Sequence, residues 1–275
     1  MIFVTDKGRM ANNIFQYGQL YAWGREHGRK TMSMRFAYKY PDFKIAHTHY
    51  HHFFVYILAK LAAKLHLIPT VVFDGQGDFD QKTETIRRHK HVMVTGWSVR
   101  FPDLFEKYKS EIISLFDFST EVRNTVNNLL GNANSGTIRL GVHIRRGDYA
   151  TWCGGRYFFN DSQYIQVIKQ FLNLHPNKRV EVFICSNDPQ LHQDEYLQEL
   201  PTAHVCFPKG SPAEDLCLLS ECDYLIGALS TFTLIASMYR DTPLYWITDI
   251  RHQISEESFH PFNYQARHYD RYFIS

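Results

Sequence analysis

Arg139-Leu140-Gly141-Val142-His143-Ile144-Arg145-Arg146-Gly147-Asp148-Tyr149 decides how the rest of the chain is read. With Ile138 before it, the apolar residues Ile138, Leu140, Val142 and Ile144 recur with the period of two that marks a strand. The strand runs straight into two arginines, a glycine and an aspartate, so charge gathers at its carboxyl end. Open α/β sheets bind ligands outside those ends. Paired arginines there suit a diphosphate, because the guanidinium fork grips phosphate oxygens two at a time, and Gly147 supplies the turn. A solvated surface turn after a core strand accounts for the same residues without a ligand, and local spacing leaves both open. The embedded Arg146-Gly147-Asp148 spells an adhesive tripeptide, but a strand end is the wrong context for an exposed adhesive loop.

Downstream, strand 138–144 is followed by a helix at about 162–174 with Asp161 or Ser162 as its cap. Strand 180–185, helix 189–199, strand 203–207 and helix 212–220 come next, then strand 223–227, helix 231–240 and strand 243–247. Strands alternating with helices of this length predict a parallel sheet covered on both faces. Upstream, Met1 to Thr5 reads as a strand and Gly8 as a loop. Ala11 to His27 reads as a helix, with Ile14, Tyr17, Leu20 and Tyr21 at helical spacing. That is the opening of a Rossmann-like half without the dinucleotide glycine fingerprint. Val92 to Gly96 reads as a further strand and Glu121 to Leu130 as a helix, before the turn-forming run Gly131-Asn132-Ala133-Asn134-Ser135-Gly136. The fold class is therefore α/β with two Rossmann-like domains, residues 1–131 and 137–275, the last stretch being free to pack back on the first.

Composition narrows the function. A net charge of +2 makes any anion site local and argues against a nucleic-acid partner, which calls for a basic stripe. Five cysteines, Cys153, Cys185, Cys206, Cys217 and Cys222, are an odd number without zinc-ribbon spacing, which fits a reducing compartment. No charged leader region with a long apolar run follows Met1, so no signal peptide is expected. Phe53 to Ile68 is apolar but broken by Lys60, Lys64 and His66, too short for a span. It reads as core, as a lid, or as a peripheral contact with a membrane surface. His47 and His51 have the spacing of a metal pair, but no carboxylate or thiol completes the set. Asp78-Phe79-Asp80 follows Gly75 and Gly77 in an evident loop and reads as surface rather than as a metal motif. No metal is expected.

The opening stretch also resembles the His-x-Arg-Arg-Gly-Asp-Tyr signature of glycosyltransferase family 11, the α-1,2-fucosyltransferases. Gly8-Arg9-Met10-Ala11-Asn12-Asn13-Ile14-Phe15-Gln16-Tyr17 is similar to the family's Gly-Arg-Leu-Gly-Asn-Gln-Met-Phe-Gln-Tyr. Asp215 to Ser220 and Ile226 to Thr233 resemble its Asp-x-x-Leu-Met-Ser and Asn-Ser-Ser-Phe-Ser. The chain departs from the family pattern at Ala11, Asn13, Leu229 and Leu234-Ile235.

The resemblance implies a GT-B-type architecture, two Rossmann-like domains facing a cleft. It also implies metal-independent, inverting transfer of L-fucose from GDP-fucose to a glycan hydroxyl. That hydroxyl is expected to be galactose O2, in α-1,2 linkage, on a glycan or surface-polysaccharide precursor. A bacterial-type cytoplasmic enzyme, peripheral at the inner face of the membrane, is expected. Use of another nucleotide sugar, or binding without catalysis, are the alternatives. On the matching positions, His143, Arg145, Asp215, Ser230, Thr231 and Phe232 are expected to bind the donor, and Asn12, Asn13 and Gln16 to face the acceptor. Arg145 is expected to stabilise the leaving diphosphate, Asp148 to act as base or to orient the acceptor, and Arg146 to be structural, holding Asp148. Several of these have plainer readings: Asn12, Ser230 and Thr231 as helix caps, and Asp215 as a charge favourable to a helix start.

Overall fold

Three apolar residues, all buried, make the first strand, β1 (Ile2–Val4). The computed structural model describes residues 1–131 and 136–273. After β1 come α1 (Met10–Glu26), β2 (Thr31–Ser33), α2 (Phe36–Lys39) and α3 (Phe53–Lys64). Then follow β3 (Thr70–Phe73), α4 (Phe79–Arg88), β4 (Val92–Gly96), α5 (Pro102–Lys107) and α6 (Lys109–Leu115). The strands form a parallel sheet of order β2-β1-β4-β3. Helix α1 is buried on nearly every side, consistent with its run of apolar and small residues. A Cβ on Gly18 would stand 2.5 Å from the Phe105 ring, so only glycine lets α5 lie this close. These elements belong to one compact unit, Met1–Thr120.

The second unit, Glu121–Ser275, opens with all but the first residue of α7 (Thr120–Leu130). It continues through β5 (Ile138–Ile144), α8 (Asp161–Leu174), β6 (Val180–Ser186), α9 (Gln193–Glu199) and β7 (His204–Cys206). It closes with α10 (Pro212–Ser220), β8 (Tyr224–Ala228), α11 (Thr231–Met238), β9 (Leu244–Ile247) and α12 (Phe262–His268). Its sheet is parallel, of order β7-β6-β5-β8-β9. The strand that leads into the two arginines is thus central, with Leu140, Val142 and Ile144 fully buried. The chain moves one way from β5 to β6 and β7, then returns to β8 on the other side, so the direction of winding reverses between β5 and β8. Such a reversal leaves a crevice at the carboxyl ends, where α/β sheets take ligands. The C-terminal stretch packs on this sheet: Gln265 Nε2 donates to the Leu244 carbonyl at 2.9 Å, and Tyr269 meets Trp246 edge-on.

Several expectations are corrected. The division falls before α7, not after it, because Val122 and Val126 are buried and Arg139 Nη2 donates to the Leu130 carbonyl, tying the helix end to β5. The middle of the expected linker, residues 132–135, lies outside the described residues. Helix α8 is capped by Asn160 in a reciprocal box with Gln163, rather than by Asp161 or Ser162. Helix α9 starts at Gln193, since Asp188 Oδ1 takes the Gln190 N–H and holds a turn there first. Asp78 is exposed at the end of its loop, as expected, and there caps α4, accepting from the backbone of Asp80 and Gln81. Of α3 only Ala59 is fully buried, so its apolar residues are not mainly core.

Candidate active site

Side chains alternate across a strand, so His143 and Arg145 leave β5 on one face and Arg146 on the other. The His143 ring is buried and stacks on Phe232 at 4.6 Å and 20°. Burial first, and then the Arg145 charge, push its pKa down to about 3, so the ring is neutral at any physiological pH. Its Nδ1 has no hydrogen-bond partner. Gly227 is the residue of β8 paired with His143, and a Cβ there would press on the His143 carbonyl and Thr233 at 3.0 Å. Glycine is what lets the start of α11 close over the end of β5.

Arg145 is largely covered and pairs with the exposed Asp148, Nη2 to Oδ1 at 2.6 Å. Its guanidinium lies 5.4 Å from the Tyr149 ring centre, and Tyr149 donates its hydroxyl to the Leu229 carbonyl at 2.6 Å. The loop after β5 is thereby fastened to the loop after β8.

Arg146 turns into the protein instead. Its Nη2 meets Asp161 Oδ1 at 2.5 Å, its Nη1 meets Asp188 Oδ2 at 2.8 Å, and its Nε donates to the Phe159 carbonyl. Asn187 accepts the Arg146 N–H and donates to its carbonyl, and Tyr196 donates to Asp161. The expectation that Arg146 holds Asp148 is therefore wrong. With Gly147 at φ +72, the chain enters a short 3-10 turn over Gly147–Ala150, and that turn brings Asp148 back beneath Arg145, three residues earlier. Asp161 was legible as an acid at a helix start, whereas Asn187 and Asp188 stand just past the end of β6. Nothing in the spacing joined them to one arginine.

Asp215 stands in the first turn of α10, whose cap is Ser211 in a reciprocal box with Glu214. It adjoins Cys185, whose thiol burial keeps protonated and which pairs with His143 across β5 and β6. Asp215 Oδ1 is buried and makes no hydrogen bond. Burial raises its pKa to about 7, with the Cys185 thiol acting in the opposite direction. An acceptor left in this state costs free energy that an incoming donor recovers. Ser230 caps α11, its Oγ accepting the Phe232 N–H, and Thr231 beside it is buried. The capping reading thus holds for Ser230, and the helix start still offers backbone N–H groups to an anion.

In the first unit, Arg9 and not Asn12 occupies the cap position of α1. Asn13 is buried and committed to the loop before the helix, accepting from the Lys7 N–H at 2.6 Å and donating to the Arg9 carbonyl. Gln16 is buried with neither amide atom hydrogen-bonded. Asn12 alone of the three is partly exposed.

Among the described residues the side chains close enough together to hold one metal ion are Asp161, His192 and Glu195. Asp161 is already engaged by Arg146. Asp78 spends its carboxylate on capping α4, and neither His47 nor His51 falls in such a group.

The family described as Glycosyl transferase family 11 matches residues 1–242. The chain belongs to that family. Galactoside α-(1,2)-fucosyltransferase 2 of Pongo pygmaeus is 25% identical over 247 residues, covering 84% of this chain and 66% of the relative. Galactoside 2-α-L-fucosyltransferase SEC1 of Bos taurus is 23% identical, covering 85% and 63%. This family 11 chain spans just under two thirds of the length of these relatives. Among solved structures, a variant of Arabidopsis thaliana FUT1 in complex with GDP superposes with a TM-score of 0.64 at 12% identity, covering 94% of this chain and 73% of that one. POFUT1 in complex with GDP-fucose gives 0.60 at 12%, covering 89% and 96%. Fucosyltransferase NodZ from Bradyrhizobium gives 0.57 at 15%, covering 91% and 96%. The family 11 chain therefore has the GT-B fold of these fucosyltransferases.

Proposed function

We propose that this family 11 protein is a fucosyltransferase that moves L-fucose from GDP-fucose to a glycan hydroxyl, galactose O2 in α-1,2 linkage, with inversion and without a metal. One observation carries the reading: a half-buried carboxylate, Asp215, whose Oδ1 makes no hydrogen bond, belongs to the same sheet end as the largely covered guanidinium of Arg145. Guanine presents adjacent N1 and N2 donors that one carboxylate accepts together, and a diphosphate answers the arginine. The neutral His143 ring, stacked on Phe232, gives the donor a flat apolar wall beside them. In the reaction the acceptor oxygen forms a bond to fucose C1 as the bond from C1 to the β-phosphate oxygen breaks. Negative charge grows on the leaving GDP, where Arg145 stabilises it. The acceptor proton passes to Asp148 or to the departing phosphate. Asn12, Asn13 and Gln16 lie on the acceptor side in this reading, with Asn12 the one partly exposed to solvent.

A melting-temperature panel tests the donor. GDP is expected to stabilise the protein more than UDP, ADP or CMP, since a ligand bound only by the native state raises apparent stability, and Asp215→Asn is expected to weaken the GDP shift. The pH dependence follows with its sign. The folded carboxyl keeps its proton to about pH 7, above its value of roughly 4 in an unfolded chain. Ionising it therefore costs native stability as pH rises through that window, and a double donor recovers the cost. The GDP shift should grow from pH 6 to pH 8 in the native sequence, more steeply than in Asp215→Asn. Equal stabilisation by UDP, or parallel pH curves for the two proteins, would sink the assignment.

Turnover is expected to survive excess EDTA, because Arg145 and the amides at the start of α11 answer the diphosphate charge. Loss of turnover on chelation, restored by manganese, would overturn the metal-independent reading.

A further inference from the structure

Helix α3 exposes an apolar stripe that the fold leaves uncovered. Phe54, Leu58, Leu61 and Leu65 follow one another at helical spacing and are 70%, 64%, 50% and 56% exposed. Phe53 and Ile57 form a shoulder, and Leu67 continues the patch past the helix end, all three also exposed. The opposite side of the helix supplies the anchorage: Ala59, with Val55, Tyr56 and Ala63, packs on Phe3, Met32, Met34 and Met93. The helix is thus fixed to the first sheet by its small residues and presents its large ones to solvent. Contiguous exposed apolar surface of this kind marks an interaction site.

The charges around the stripe select the partner. Lys60 and Lys64 are exposed and share a side with Phe53 and Ile57, roughly a third of a turn from the centre of the stripe. Neither has an ion-pair partner among the described residues. Between Asp42 and Asp74 the chain contains no acidic residue at all, although it carries 28 in 275. An apolar stripe of large residues with a wholly basic border fits a surface that is hydrocarbon beneath and anionic above. Lysine stems can lie along the apolar layer while their ammonium groups meet lipid phosphates. Among the described residues no helix is long and apolar enough to cross a membrane, and at 12 residues α3 lies along one.

We propose that α3 docks the first unit onto an anionic lipid surface. This does not depend on which nucleotide the second unit binds. The test is co-sedimentation of the full chain with sucrose-loaded vesicles of phosphatidylcholine, alone or mixed with phosphatidylglycerol, alongside size-exclusion chromatography without lipid. The protein should pellet with the mixed vesicles and not with phosphatidylcholine alone, and pelleting should fall as salt is raised. Lys60→Glu with Lys64→Glu, and separately Phe54→Ser with Leu58→Ser, should each weaken binding on the order of tenfold or more. All four side chains are exposed, so melting temperatures should stay unchanged. No pelleting with the mixed vesicles, or pelleting of both variants as strong as that of the native sequence, would overturn the proposal. So would a lipid-free dimer that Leu58→Ser dissolves, which would assign the stripe to a second copy of the chain.

Discussion

Arg145→Lys is expected to keep its melting temperature and to lose on the order of a hundredfold or more in turnover. The side chain is not part of the core: its hydrogen-bonded partner is Asp148, which is itself exposed. An ion pair with one partner in solvent contributes on the order of 1 kcal/mol, and lysine can keep much of that pairing. What it cannot keep is the fork. Two phosphate oxygens held by one planar group become one oxygen held by a compact, heavily hydrated ammonium, and the loss is greatest where charge is still growing, at the leaving diphosphate. The variant should bind GDP measurably while turning over slowly, so purified proteins compared by melting temperature, GDP shift and GDP-fucose turnover decide the matter. Full turnover in Arg145→Lys would remove Arg145 from the mechanism.

Arg146→Met is expected to cost about 3–5 kcal/mol of folding stability, the scale of removing one partner from a buried ion pair. The arginine neutralises Asp161, which is buried at the start of α8 and among the described residues has only the Tyr196 hydroxyl and the exposed His192 besides. Methionine fills the volume and leaves that carboxylate charged and almost alone. The pair Arg146→Met with Asp161→Asn should therefore be less damaged than the two single effects added together, since residues in one network couple strongly. Urea unfolding of the three variants measures it. A folded Arg146→Met with native stability and no turnover would transfer to Arg146 the catalytic role of Arg145.

These two arginines show how far the sequence reached. Alternation carried past the end of β5 sends them to opposite sides, and they do part company, Arg145 to Asp148 and Arg146 to Asp161 and Asp188. Their partners were not legible. Asp148 reaches the Arg145 guanidinium because of a left-handed glycine and a tight turn, a geometry that period arguments do not contain. Asp161 and Asp188 come from two other elements, and their convergence is a property of the sheet order, β6 next to β5, rather than of any local stretch. Helix α3 failed for another reason. Its apolar richness was visible in the residues, but whether such a face ends up inside depends on what is available to cover it, and among the described residues nothing does. The domain boundary erred similarly: a run of glycine, asparagine and serine reports where the chain turns, while α7 sits with whichever sheet accepts Val122 and Val126.

The order of strands also sets a timetable for the newborn chain. Strand β6 can join β5 as soon as one helix has been made, but β8 lies beyond β6, α9, β7 and α10. At roughly 5–20 residues per second of synthesis, the edge of β5 that will carry Gly227 against His143 stands open for on the order of ten seconds. During that interval it offers unpaired backbone groups and some of the most apolar residues of the second sheet to any passing strand. Yield in cells will therefore depend on how quickly Tyr224–Ala228 emerges, and slow codons between β6 and β8 would prolong the exposure of the strand that carries Arg145.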